Sequence, residues 1–375
     1  MATRHYIPIA RPVISDEEKR RVLDVLDSGM LVAGRQVSEF EEAFASYLGV
    51  QAAVATSSGT TALQVALEAL GIGPGDRVVT TPFTFVATSN AILHAGARPV
   101  FVDVDPHTYN LDPQAVADAV RRERARAILC VHLYGLPCDM DGLMQVAKDQ
   151  GVLLIEDCAQ AHGARYRGQP VGTFGQVGIF SFYPSKNMTT GEGGMLVTND
   201  ISVAERSRLL VNVGQNGSSE YVYEVIGYNY RMTDIAGALG VAQLQRLDER
   251  NAVRRRYAAR LTAGLAGLDW LLPPGEPPGY QHVYNQYTVR VLTDRARLLE
   301  HLRAHGVGSR IYYPQLVPHS PAYQKLGYGG SYPVAEMLAA QVVSLPVHPA
   351  LTEDDVEHII AAVQQFPVSR TRGQP

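Results

Sequence analysis

Between residues 52 and 182, short apolar runs alternate with stretches of helical periodicity, and this alternation limits the possible folds more than any other feature. The apolar runs predict strands at 52–55, 77–80, 98–102, 127–132, 152–156 and 177–182. The stretches between them predict helices at 60–70, 85–95, 113–122 and 140–150. Such an order predicts an α/β domain with a mainly parallel mixed sheet flanked by helices. In these sheets, ligands bind beyond the carboxyl ends of the strands.

The pattern changes after residue 234. A long helical stretch around 235–265 leads into a Pro- and Gly-rich loop at 273–279. Beyond the loop we expect a strand at 285–292, a helix at 295–305, a strand at 308–312 and a helix at 352–365. We therefore predict a large domain over 1–245 and a smaller C-terminal α/β domain over 246–375, linked by the long helix.

Composition excludes several classes of protein. A net charge of −4 over 375 residues gives no reason to expect a nucleic-acid partner. The basic runs 121–126 and 254–256 are interpreted as solvated helix faces, although an anionic substrate could require a cation from the second. Three cysteines without a CxxC pair predict neither a disulfide framework nor a metal site. With no signal-peptide pattern and no membrane-spanning run, we expect a soluble, cytoplasmic protein.

The first candidate site is the turn Ser57-Ser58-Gly59-Thr60-Thr61, between a predicted strand and a predicted helix. A turn of small residues at the start of a helix leaves backbone N–H groups free to bind a phosphate. Ser and Thr are also ordinary helix N-caps, so the turn alone supports both interpretations.

The second candidate is the strand end Leu154-Ile155-Glu156-Asp157. A carboxylate here faces the crevice in which ligands bind, and it would keep the ring nitrogen of a ligand protonated. A protonated pyridine is the electron sink that pyridoxal chemistry requires. The alternative is that Asp157 caps the next helix.

The third candidate is Lys186, in Ser181-Phe182-Tyr183-Pro184-Ser185-Lys186 and before Thr190-Gly191-Glu192-Gly193-Gly194. Burial near a cationic ring would lower the pKa of its amine and make it nucleophilic. A single lysine is more often a solvated surface charge. The order of phosphate turn, strand-end acid and lysine is what favours catalysis.

These motifs resemble the DegT/DnrJ/EryC1/StrS family of sugar aminotransferases. The resemblance also includes the whole run 156–163 and the segment Gly227-Tyr228-Asn229-Tyr230-Arg231-Met232. The resemblance extends from about Ile7 to Phe366 and implies a fold-type-I, aspartate-aminotransferase-like structure with pyridoxal 5'-phosphate as cofactor. It implies that Lys186 forms the Schiff base and later shuttles protons. Relatives that dehydrate instead carry His at this position, so Lys186 implies transamination.

The resemblance also implies a set of cofactor-binding residues. Asp157 would pair with the pyridine nitrogen and Gln160 would lie near the phenolic oxygen. Gly59, Thr60 and Ser181 would bind the phosphate. Phe85 would stack on the ring, unless it is a plain core residue. Asn229 would reach the phosphate of a partner subunit, which implies a homodimer with shared active sites.

The implied reaction is ping-pong transfer from an amino acid, glutamate, to a nucleotide-linked keto sugar. The loop 187–194 is more typical of 4-keto-sugar enzymes, and 3-keto sugars and keto-inositols are the alternatives. In relatives a His often follows Tyr-Pro by four residues, whereas here His319 comes one place later, and we assign it no role. None of the three cysteines is a clear nucleophile for desulfuration. A regulator built on the same fold would need a DNA-binding module, for which the chain has no spare segment.

Overall fold

The computed structural model describes residues 6–216 and 221–368. Its helices are α1 Asp16–Ser28, α2 Arg35–Leu48, α3 Gly59–Ala69, α4 Ala87–His94, α5 Pro113–Glu123, α6 Met140–Gln150, α7 Ile201–Val211, α8 Asp234–Gln245, α9 Leu247–Leu265, α10 Arg295–Ala304, α11 Pro321–Lys325, α12 Pro333–Gln341 and α13 Glu353–Gln364. Its strands are β1 Ala52–Thr56, β2 Arg77–Thr80, β3 Arg98–Phe101, β4 Ala127–Val131, β5 Leu153–Asp157, β6 Arg165–Tyr166, β7 Gln169–Pro170, β8 Val177–Ser181, β9 Gly194–Thr198, β10 Leu271–Leu272, β11 Tyr280–Gln281, β12 Tyr287–Val291 and β13 Val342–Leu345.

The large sheet has seven strands in the order β1-β9-β8-β5-β4-β2-β3. Neighbours from β8 to β3 pair in parallel, and β9 runs antiparallel to both β8 and β1. The mainly parallel mixed sheet is therefore confirmed. Strand β9 was not predicted, because it follows directly on the glycine-rich loop and is only five residues long.

Helices cover both faces of this sheet. On one face, α3, α4 and α7 bury aliphatic side chains such as Leu63, Ile92 and Leu210 against the strands. On the other, α2 and α8 enclose an aromatic cluster in which the Phe40 and Phe182 rings lie 5.1 Å apart. Burial on both faces explains why these strands are nearly continuous apolar runs. It fixes the strand ends from which the site is built.

The C-terminal part forms a second core around the antiparallel sheet β10-β12-β13. Helices α9, α10 and α13 pack on it through residues such as Leu261, Leu298 and Ile359. The smaller α/β unit is thus confirmed. The predicted strand at 308–312 is wrong, because only Arg310 makes a bridge, to Ser344. The chain then leaves the sheet, so that Tyr312 and Tyr313 line the large cavity described below.

The stretch 235–265 is helical but not one helix. Helices α8 and α9 meet at Arg246, whose φ of −107° and ψ of 3° interrupt the helical geometry. The domain division at 245/246 stays a prediction. None of the described helices is both long and apolar enough to span a bilayer.

The two basic runs have different environments. The arginines of 121–126 are exposed, as predicted for a solvated face. The interpretation of 254–256 as a solvated helix face is wrong for Arg254, which is buried. Arg254 lies three positions after Asn251 and four before Ala258, on the face of α9 that packs into the protein.

Candidate active site

A cavity of about 860 Å³ opens at the carboxyl ends of the parallel strands. Its wall includes Val131, Asp157 and Ser181, which are the last residues of β4, β5 and β8. The C-terminal unit contributes further side chains, among them Arg310 and Tyr313. The cavity therefore lies where an open parallel sheet is expected to bind ligands.

Gly59, Thr60, Phe85, Asp157, Gln160, Ser181 and Lys186, all proposed from the sequence, line this cavity together. They come from four separate segments of the chain. Asn229 does not line it: the residue is exposed, and its backbone pairs with Asn212.

The turn after β1 is both a helix N-cap and a site with free N–H groups, the two interpretations that the sequence supports. Ser58 is the N-cap of α3, and its Oγ accepts from the Thr61 N–H at 3.1 Å. No described residue accepts from the N–H groups of Gly59 and Thr60, the first two of the helix. Two free N–H groups at a helix N-terminus are suited to a phosphate. Only glycine fits at 59, because a Cβ there would lie 2.6 Å from Cβ of Ser181.

Asp157 is buried at the end of β5, with 4% of its surface exposed. Its carboxylate accepts from Thr88 Oγ1 at 2.8 Å and from the Ala159 N–H at 3.1 Å. No helix begins there, so the helix-cap alternative is wrong. Burial raises the pKa of Asp157, while the hydrogen bond from Thr88 opposes that shift. A cation bound against this carboxylate would offset the cost of its burial.

Lys186 lies on the loop between β8 and β9, where its N–H donates to the Tyr183 carbonyl at 2.9 Å. Burial lowers the pKa of Lys186 to about 8, and the negative charge of Asp157 opposes this shift. The neighbouring Asn187 holds the loop in place by donating to Asn251 at 2.7 Å and to the Val283 carbonyl at 3.0 Å. At a pKa of about 8, roughly a tenth of the Lys186 amine is unprotonated at pH 7, whereas at the ordinary lysine pKa the fraction would be below about one in a thousand.

Gln160 is held at both ends of its amide. Its Oε1 accepts from the Tyr134 N–H at 2.6 Å, and its Nε2 donates to Tyr313 Oη at 3.0 Å. The ring of Phe85 lies 6.2 Å from that of Tyr313. Phe85 is 54% exposed, so the alternative that it is a core residue is wrong. An exposed aromatic ring on a cavity wall is suited to stack on a planar ligand.

His319 lies away from the cavity, where its Nε2 contacts the Gly330 carbonyl at 2.9 Å. The residues that sequence reasoning missed are Thr88, Tyr134 and Arg310. Thr88 follows Thr84 by one helical turn, and the two hydroxyls lie 3.2 Å apart. That spacing could have marked a polar face, although it does not identify Asp157 as the partner.

Three buried side chains close to the site carry atoms of the kinds that bind metal ions. Ligand atoms of His132, Glu156 and Cys158 lie within 4.8 Å of one another. The Glu156 carboxylate, however, already accepts from the N–H groups of Gly172, Phe174 and Gly175 at 2.7–2.8 Å, and from His132 at 3.1 Å. These hydrogen bonds fix the loop before β8 and account for the buried charge.

Comparison with known proteins decides the family. The family model described as the DegT/DnrJ/EryC1/StrS aminotransferase family matches residues 12–364. The chain belongs to this family. It is 41% identical to the GDP-perosamine synthase of Caulobacter vibrioides, over 96% of this chain and 98% of that protein. It is also 41% identical to the UDP-N-acetyl-3-dehydro-alpha-D-glucosamine 3-aminotransferase of Acidithiobacillus ferrooxidans, over 96% and 95% of the two chains.

Among solved structures, S. venezuelae DesV in complex with a ketimine intermediate matches with a TM-score of 0.90 and 41% identity, over 94% of each chain. This sugar aminotransferase is therefore a pyridoxal-phosphate enzyme of that fold. Its own residues fit the cofactor. The free N–H groups of Gly59 and Thr60 suit the phosphate, the buried Asp157 suits the ring nitrogen, and the Lys186 amine lies in the same cavity.

Proposed function

We propose that this aminotransferase moves an amino group from glutamate to the 4-keto group of a nucleotide-linked sugar, as a homodimer with shared active sites. The observation that carries the proposal is the cavity shared by Lys186, Asp157 and Glu192. The first two suit aminotransferase chemistry. Glu192 belongs to the Thr190-Gly191-Glu192-Gly193-Gly194 loop, whose form favours a 4-keto sugar.

Bound pyridoxal phosphate supplies an electron sink for removal of the proton next to the amine. The chain positions and protonates the reactants. Asp157 would hold a proton on the ring nitrogen, and Gln160, which is fixed by its hydrogen bonds to Tyr134 and Tyr313, would lie near the phenolic oxygen. With a pKa of about 8, Lys186 can both accept and return a proton near neutral pH.

The 4-keto preference has a direct test. Relatives of equal identity include a GDP-perosamine synthase and an enzyme whose name specifies a 3-dehydro sugar and a 3-aminotransferase. Overall identity therefore does not separate the two positions. The purified enzyme, converted to its aminated form with glutamate, is offered matched 3-keto and 4-keto nucleotide sugars and a keto-inositol. We expect the fastest single turnover with a 4-keto sugar, and a preference for either alternative would refute this assignment.

The shared site is supported by the position of Asn229. This residue is exposed and outside the cavity of its own chain, and the nearby Ile226 is 94% exposed. Further apolar side chains close in sequence, Tyr221 and Tyr223, are also more than half exposed. A second copy that covers this segment would bury them and bring Asn229 to the phosphate of the partner site.

Subunit complementation tests the shared site. Lys186→Ala and Asn229→Ala homodimers should each be strongly impaired, while a mixed dimer regains one site in which both residues are intact. The mixture is prepared with two different affinity tags, so that heterodimers are isolated before assay. Isolated heterodimers without any recovered activity would contradict a shared site.

The catalytic lysine is tested by chemical trapping. Borohydride reduction of the loaded protein should leave the cofactor attached covalently to the peptide that contains Lys186. Lys186→Ala should abolish both trapping and turnover, while the exposed Lys325, outside the cavity, serves as the control position. Trapping on another lysine would show that Lys186 is the wrong residue.

A further inference from the structure

The charges in the cavity are few. Among the described residues that line it, the charged side chains are Asp157, Lys186, Glu192 and Arg310. Lys186 is engaged with the cofactor in the proposed function. Arg310 is therefore the remaining cation of the lining, and its guanidinium forms no hydrogen bond or ion pair with a described residue.

Arg310 is presented from a fixed backbone. Its N–H donates to the Ser344 carbonyl at 3.2 Å, and the Ser344 N–H donates to the Arg310 carbonyl at 2.8 Å. Ser344 is fully buried in β13, and its Oγ lies 2.8 Å from Oγ1 of Thr288 in β12. Arg310 is thus fixed through its backbone to the small sheet, and it lines the same cavity as the proposed cofactor-binding residues.

Three other arginines, Arg11, Arg250 and Arg254, line a small pocket together with Lys186, and none of them lines the large cavity. The last two also have partners within the protein. Arg250 is ion-paired with Glu18 at 2.9 Å, within the protein. Arg254 is buried and donates to the Tyr284 carbonyl at 3.3 Å, and neither residue lines the large cavity. Burial without a carboxylate partner lowers the pKa of Arg254 to about 10. Neither can meet an anionic substrate in place of Arg310.

We propose that Arg310 binds the α-carboxylate of the amino donor, an inference that rests on the proposed aminotransferase function. Every α-amino acid carries this carboxylate on the carbon whose amine is transferred. A guanidinium binds a carboxylate through two parallel hydrogen bonds, which orient as well as attract it. In a nucleotide-linked 4-keto sugar, by contrast, the diphosphate is attached across the ring from the reacting carbon. A cation that lines the same cavity as Lys186 therefore matches the amino acid better.

The half-reactions separate the two substrates. Arg310→Met and Arg310→Lys are loaded with pyridoxal phosphate, and conversion of the cofactor absorbance is followed with glutamate alone. The reverse conversion is followed with the aminated enzyme and the keto sugar alone. Arg303→Met is the matched control, because Arg303 is an exposed arginine of the same C-terminal unit, on α10, that does not line the cavity.

We expect Arg310→Met to lower kcat/KM for the glutamate half-reaction about 100- to 1,000-fold, as for loss of a charge-assisted pair. Arg310→Lys should lose at least about tenfold, because a lysine cannot form the two parallel bonds. The keto-sugar half-reaction should change less than about threefold in both variants. Calorimetric binding of glutarate, an unreactive dicarboxylate, should weaken at least about tenfold in Arg310→Met and stay unchanged in Arg303→Met.

Two outcomes would overturn the assignment. An unchanged glutamate half-reaction in Arg310→Met would show that the guanidinium does not hold the donor. A loss confined to the keto-sugar half-reaction would show that it binds the diphosphate instead. If no amino acid tested changes the cofactor absorbance of the wild-type enzyme, the proposed function is refuted, and the role of Arg310 is refuted with it. Circular dichroism of each variant identifies misfolding, and Arg310→Lys keeps the charge if Arg310→Met does not fold.

Discussion

The hydrogen bond from Thr88 to Asp157 is the contact on which the site's electrostatics most depend. Thr88 Oγ1 lies 2.8 Å from Oδ2 of Asp157, and the two residues are 1% and 4% exposed. Thr88→Val replaces the hydroxyl by a methyl group of similar size, so the packing is kept while the donor is lost. A hydrogen bond to a charged group contributes about 1.5–3 kcal/mol, which corresponds to a rate loss of about 10- to 150-fold.

The loss should carry a specific pH signature. Burial already raises the pKa of Asp157, and the Thr88 hydrogen bond opposes that shift. Without the hydroxyl the pKa rises further, so the carboxylate is protonated at a higher pH as the medium is acidified. The acidic limb of the rate profile should therefore move to higher pH in Thr88→Val. The assay is kcat measured across the pH range, together with cofactor affinity by fluorescence titration.

The control is Thr80→Val. Thr80 is fully buried in β2, and its Oγ1 donates to the Leu129 carbonyl at 2.9 Å, away from the cavity. Thr80→Val should lose about 1 kcal/mol of the free energy of unfolding, as for a neutral buried hydrogen bond, and Thr88→Val about 1.5–3 kcal/mol. Only Thr88→Val should show the altered rate and pH profile. Equal kinetic losses in both variants, or an unmoved acidic limb in Thr88→Val, would refute the reasoning.

Three further predictions follow from the same geometry. Burial raises the folded-state pKa of Asp157, so the apoprotein loses stability as pH rises from about 4, the ordinary Asp value. Asp157→Asn should remove that loss in urea unfolding between about pH 4 and pH 8, while lowering holoenzyme turnover severely. Gly59→Ala should weaken cofactor binding, since the new Cβ lies 2.6 Å from Cβ of Ser181, and adding Ser181→Gly should restore part of the affinity in the same titration. Burial lowers the pKa of Lys186 to about 8, so the apoprotein loses stability as pH falls from about 10.5, the ordinary lysine value, toward 8. Lys186→Met should remove this dependence of the free energy of unfolding on pH between those two values.

The parts of the fold that followed from sequence are those with a local signal. The strand ends at Asp157 and Ser181 were located to within a residue, because buried parallel strands are continuous apolar runs. Their common cavity followed from the topology of such sheets. Strand β9 was missed because five residues after a glycine-rich loop carry little periodicity. The break at Arg246 was missed because neither Gly nor Pro marks it.

Contacts between distant residues had no local signal. The partner of Asp157 is Thr88, 69 positions earlier, and the partner of Gln160 is Tyr313, 153 positions later. Neither pairing leaves a pattern in its own segment. Arg254 illustrates the same limit, because its basic neighbours suggested solvent, whereas the spacing of α9 places it inside. Burial is decided by what packs against a helix, not by the charge of one turn.

Asp157 and Lys186 show why the cavity is suited to a charged ring rather than to a neutral ligand. Burial raises the pKa of the carboxylic acid and lowers that of the amine, so it opposes the charged form of each. Their mutual attraction opposes both shifts without abolishing them. Among the described residues, the cations that stabilise the ionised Asp157 are Lys186 and His132. A cationic heterocycle held against Asp157 would stabilise the carboxylate and, as a like charge, lower the pKa of Lys186 further. The same ligand therefore favours an ionised acid and a nucleophilic amine, which is the pair of protonation states that amino-group transfer requires.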